Sequence, residues 1–141
     1  MAVVADIDHL SSAITHATAP AFMLGAVAGF LSILITRFER IVDRNRALQA
    51  GGVVLETSVK ETIARSFARR MTLLGNAIYL AVLSALVTAM LLIAAFLAGL
   101  LGIGHGGIVA VMFMVALALL IASLIQFARE IRLHMATMHL D

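Results

Sequence analysis

The chain has 141 residues, 62% hydrophobic and 13% charged, with a mean hydropathy of +1.08 and a formal net charge of +2. A charged fraction about half that of soluble domains excludes water as the only solvent, and the length sets a single integral membrane domain, 1–141. Cysteine is absent, which excludes disulfides and thiolate metal sites. The pI of about 9.9 would suit nucleic acid, but the basic residues flank apolar stretches, where retention during membrane insertion accounts for them. Nucleic-acid binding is therefore not expected.

The leading segment carries Asp6 and Asp8 and no Lys or Arg, so a secretory signal with a basic leader is not expected. A first span is predicted over about 13–36, since no charge lies between Asp8 and Arg37. Phe38, Ile41, Val42, Asn45 and Leu48 then follow the i, i+3, i+4, i+7 spacing of one helix face, so the helix should continue to Ala50, where Gly51-Gly52 ends it. Ser58 followed by Glu61 reads as a capping box. It heads a helix whose apolar stripe, Val59, Ile63, Phe67 and Met71, leads into the next span. The arms around 37–70 are expected to form a basic helical hairpin, about 20 Å long at 1.5 Å per residue. Glu56 with Lys60 and Glu61 with Arg65 have the favourable i, i+4 order for helix-surface pairs.

The charge-free stretch from Met71 to Ala128 is too long for one crossing and suits two, about 71–101 and 107–127, reversed at the glycine-rich Gly102-Ile-Gly-His-Gly-Gly107. The predicted fold class is an all-α membrane protein of three transmembrane helices, with the hairpin extending helices 1 and 2. All ten basic residues fall within 37–70 or at Arg129 and Arg132. Basic flanks stay in the cytoplasm, so the N-terminus and the glycine turn with His105 are expected outside and the C-terminus inside.

Several motifs together resemble a known family: Ala19-Pro20, Thr36-Arg37, the run Arg40-Ile-Val-Asp-Arg-Asn-Arg-Ala-Leu48, Arg69-Arg70, Asn76-Ala-Ile78 and Arg129-Glu130. The chain resembles, over nearly its whole length, the uncharacterised bacterial membrane-protein family known as domain of unknown function twenty-seven twenty-one. The resemblance implies a three-span protein of the bacterial inner membrane. It brings no catalytic residues.

Steps of four and three along the first helix collect Ser11, Thr15, Thr18, Phe22, Gly25, Gly29, Ser32 and Thr36, and then Glu39, Asp43 and Arg46. A mean spacing of 3.5 holds such a strip in one direction within a left-handed bundle. Two readings stay open. Small residues let membrane helices pack closely, and hydroxyls can bond their own backbone without any pore. Alternatively, the strip lines a channel for small ions in a homo-oligomer, since three helices are few to enclose a wet path. In that case Asp6 and Asp8 form an outer acidic ring, Phe22 an apolar gate and Glu39 and Asp43 the inner mouth, which favours cations. Pro20 frees the carbonyl of His16 and could bend the helix above the gate. Arg37, Arg40, Arg44 and Arg46 crowd the same mouth and would turn selectivity to anions if they faced the axis. A second seam, Ala81, Ser84, Thr88, Leu91, Ala95, Ala98 and Gly102, marks the second helix. The alternative function is a non-conducting scaffold whose basic hairpin docks a partner or anionic lipid.

His9, His16 and His105 share one side of the membrane, but their spacing is too loose for a metal site to be expected, and no cofactor is implied. His134 and His139 lie in a tail expected to be disordered. No phosphate loop, His-Glu-x-x-His or Gly-x-Ser-x-Gly is present, so no enzyme is expected. The charge distribution generates a direct test. Single cysteines at Asp8, His105 and Gly52 should label with an impermeant maleimide from outside, outside and inside respectively, and external labelling at Gly52 would reverse the topology.

Overall fold

The computed structural model describes residues 2–50, 57–101 and 106–138. Within them, the side chains of 2–6, 8–10, 12–13, 16, 48–49, 57–60 and 133–138 lie outside the described residues. Three helices account for everything described: α1 (Ala2–Ala50), α2 (Thr57–Leu101) and α3 (Gly106–Met138). Each is long and apolar enough to cross a membrane, over Ala17–Ala47, Glu61–Leu101 and Gly106–Arg132. In a bilayer every backbone N–H and C=O must bond within its own segment, so long apolar runs without internal breakers fold as continuous helices. Pro20 does not interrupt α1, and its ring is buried.

α1 is described as far as Ala50 and α2 as far as Leu101, and the residues that follow each lie outside the described residues. Two expectations need correction. α2 begins at Thr57, so Ser58 lies inside the helix and does not mark its start. α3 runs on to Met138, so His134 belongs to a helix and not to a disordered tail; only His139 lies outside the described residues. Glu61 and Arg65 are both exposed and make no ion pair among the described residues, in keeping with the small worth expected of that order. Glu56, Lys60, the Gly51-Gly52 stop and most of the glycine turn lie outside the described residues.

α2 is the spine. It packs along both α1 and α3, while α1 and α3 approach each other far less closely. The buried strip on α2 is Leu74, Ala77, Ala81, Ser84, Thr88 and Leu91, each fully enclosed, at alternating steps of three and four. Lipid tails are as apolar as leucine, so burial in lipid gives little drive for helix pairing. Close van der Waals contact and interhelical hydrogen bonds supply it. Small residues on α2 allow that approach. Leu34 of α1 sits against Leu74, Ala77 and Ala81, with Phe30, Leu31, Phe38 and Ile41 around it. Met23 and Val27 of α1 meet Ala116 of α3, flanked by Ala85, Phe113 and Leu120. These bulky α1 positions lie opposite the hydroxyl and glycine strip, and they face neighbouring helices.

Two serines fix the α2–α3 register. Ser84 donates to the Ala116 carbonyl at 2.8 Å and Ser123 to the Ala77 carbonyl at 2.6 Å, both buried. Thr88 in turn donates to the Ser84 carbonyl at 2.8 Å. Pairing 84 with 116 and 77 with 123 is an antiparallel register that sets Arg70 level with Glu130.

At that end α3 is tied to α1 by charge and aromatic contact. Glu130 is 3% exposed, and its Oε2 lies 3.5 Å from Nη1 of Arg37, whose side chain is 44% exposed. The guanidinium carbon stands 5.1 Å from the centre of the Phe127 ring, and Phe127 meets Phe30 edge-on at 5.6 Å between centroids. Cation–π and ion-pair contacts therefore hold one guanidinium between them. The two partners are unequal, because Glu130 is enclosed while Arg37 reaches the surface. Removing Arg37 takes a charge partner from an enclosed carboxylate; neutralising Glu130 leaves a guanidinium that can still find water. Arg37→Ala should thus destabilise the fold by about 1–3 kcal/mol, Glu130→Gln by less, and the double substitution should recover part of the Arg37→Ala loss. Thermal unfolding in detergent, followed by circular dichroism, measures the order of the three.

Candidate functional site

The outer surfaces of the three helices differ in kind. α2 presents Tyr79, Val82, Leu86, Met90, Ile93 and Phe96 outward, and α3 presents Ile108, Val111, Met114, Ile121, Leu124 and Ile125. Bulky apolar side chains of this sort match lipid tails. α1 also exposes Ile14, Ile33 and Ile35, but beside them runs the strip of Ser11, Thr15, Thr18, Phe22, Gly25, Gly29, Ser32 and Thr36, every member exposed. A Cβ built on Gly25 or Gly29 would meet nothing within 4 Å. Neither glycine is therefore required by packing within the chain. The seam predicted on α2 is used internally at Ala81, Ser84, Thr88 and Leu91. The matching strip on α1 is left uncovered.

The hydroxyls on this strip are already satisfied in part. Thr15 donates to the Ser11 carbonyl and Thr18 to that of Ile14, both at 2.8 Å, and Thr36 donates to that of Ser32 at 2.9 Å. A threonine that spends its only proton on its own helix can remain in an apolar setting without penalty. What it still offers outward is oxygen lone pairs. These three threonines accept hydrogen bonds from water or approach a cation, while the hydroxyls of Ser11 and Ser32 keep a proton to donate.

One feature breaks the smooth contour. Phe22 is 77% exposed and stands above the small residues Thr18, Ala21, Gly25 and Ala26 that surround it on the same open helix face.

The charged residues singled out in the sequence divide into two groups. Arg37 turns toward α3 and is engaged with Glu130 and Phe127. Glu39, Arg40, Asp43, Arg44 and Arg46 are exposed, and none makes an ion pair among the described residues. Asp6, Asp8, His9 and His16 belong to α1, but their side chains lie outside the described residues, as does His105. No group of three or more His, Asp or Glu able to hold a metal occurs among the described residues.

Sequence reasoning passed over Glu130, the one buried charged side chain among the described residues. A signal existed: Ala116, Ser123 and Glu130 are spaced by sevens, so the enclosed face of α3 leads straight to the carboxylate. Gln126, one turn before it, has a buried Oε1 without a hydrogen-bond partner, as does Glu130 Oε2 beyond its 3.5 Å approach to Arg37. An amide assigned the other way round would turn a donor to that position, since its oxygen and nitrogen are interchangeable in outline.

No curated protein and no solved structure matches this chain. Residues 17–140 match the family described as protein of unknown function (DUF2721), a stretch that holds all three apolar helices and the Arg37–Glu130 contact. With nearly the whole chain covered, it belongs to the DUF2721 family.

Proposed function

We propose that this chain works in the bacterial inner membrane as a homo-oligomer whose α1 strips surround a channel-like path for small cations. The observation that supports this most is the contrast between outer faces: α2 and α3 are dressed for lipid, while α1 presents glycines and hydroxyls that no contact within the chain uses. Ring assembly around α1 would give that face its purpose. The lone pairs left outward by Thr15, Thr18 and Thr36 would favour cations, with Asp6 and Asp8 at the outer end and Glu39 and Asp43 at the inner mouth. Phe22, the bulkiest member of the strip, would be the dewetting constriction. Arg37 counts less against cations than the sequence suggested, because it is turned to Glu130 and not to the strip.

A scaffold that docks an acidic partner or anionic lipid on its basic cytoplasmic arm is the second reading. Arg40, Arg44 and Arg46, all exposed, favour it. The two readings part at the strip, which conducts in one and is only a packing surface in the other.

Replacing Gly25 and Gly29 together with Ile should leave the single-chain fold intact, since the space beside both is open, but should push neighbouring chains apart. Light scattering in detergent should show the wild type as an oligomer and the double variant shifted toward monomer, with unchanged helicity. Flux into liposomes tests conduction. Phe22→Ser in an assembled protein should admit water to the constriction and raise sodium or potassium flux over chloride. If wild type and an assembled Phe22→Ser variant both stay silent under sodium, potassium and chloride gradients, the channel reading fails and the scaffold stands.

A further inference from the structure

Along α1 at 3.6 residues per turn, about five whole turns separate positions eighteen apart. Arg40 therefore lies on the same line of the helix as Phe22, and Asp43 on the same line as Gly25. The two lines are roughly 60° apart, since three residues fall that far short of a full turn. One edge of the strip thus carries a ring above a cation, and the other a glycine above an anion. All four residues are exposed, and neither Arg40 nor Asp43 has an ion-pair partner among the described residues.

A rotation axis along the membrane normal keeps every residue at its own depth. It also places one edge of each α1 against the opposite edge of the next copy, whatever the number of subunits. Phe22 would then meet the neighbour's small side chains at Thr18, Ala21 and Gly25, within about one turn of its own level. Arg40 would meet the neighbour's Asp43 one turn away, well within the reach of an arginine side chain. Both matches come from a single rotation, one steric and one electrostatic, about 27 Å apart along the helix.

We propose that Phe22 of a second copy of this chain packs on the small edge of α1 at Thr18, Ala21 and Gly25, held in register by an Arg40–Asp43 pair between copies. This rests on the self-association proposed above and deepens it by naming both edges of the contact. The charge pair sets depth and orientation, because an unmatched copy would bring like charges together or leave the ring over lipid. Each Phe22 laid across the next subunit would also close the axis at that depth, so the constriction becomes a property of the assembly.

The cysteine-free chain allows a direct test in native membranes. Chains carrying Phe22→Cys and chains carrying Gly25→Cys, co-expressed and oxidised, should cross-link several-fold more than either alone, because only the mixed pair brings Cα atoms within disulfide range. Arg40→Asp or Asp43→Arg should weaken assembly by roughly fivefold, the scale of one exposed ion pair. The swap Arg40→Asp with Asp43→Arg should restore it. Mixed cross-linking no better than the single kinds, with a swap no better than its parts, would overturn this contact while an oligomeric wild-type mass still upheld self-association. A monomeric wild type would overturn both.

Discussion

Two buried serine hydroxyls carry much of the organisation of this protein. Where apolar burial gives no advantage, helices associate through close approach and the few polar bonds they can make across a gap. Ser84 and Ser123 each give a proton to a carbonyl of the opposite helix, and they can reach only because Ala77, Ala81 and Ala116 let the backbones draw together. Once that register is set, Glu130 arrives level with the end of the α2 span and beside Arg37. α1 then has one face left for α2, that of Val27 and Leu34, and its small-residue strip is turned out.

The sequence showed the helices plainly because the membrane simplifies the problem. Charge is excluded over spans of known length, and nothing but helix satisfies the backbone there. The α2 seam was legible from Ala81 to Leu91 because small residues recur at three and four, but its extension to Leu74 was hidden by the size of that leucine. The opposed roles of the two seams were not legible. Each looks like a packing surface by composition, and only the approach of real neighbours separates the one that is filled from the one that is bare. Glu130 escaped for a related reason: a carboxylate beside two arginines at the end of a span reads as solvated, and its enclosure depends on α1 and α3 meeting through Phe30 and Phe127.

Polar groups are distributed by what each can tolerate. Thr15, Thr18 and Thr36 bond their own helix and are placed outward, where no partner is guaranteed, while Thr88 does the same inside the α2 seam. Hydroxyls whose proton crosses to another helix are enclosed. The one buried carboxylate among the described residues, Glu130, is given a guanidinium that is itself steadied by an aromatic ring, which lowers the entropy lost in forming the pair.

The unbroken course of α1 has a mechanical meaning. At 1.5 Å per residue its 49 residues extend for about 74 Å, more than twice the hydrocarbon thickness of a bilayer. The segment from Arg37 to Ala50 projects about 20 Å beyond the ion pair with no glycine or proline in it to absorb a bend. Phe38 and Ile41 brace the start of this segment against the α2 core, so a tilt of the α1–α2 pair by about 10° would carry Ala50 sideways by roughly 3 Å relative to the level of Arg37.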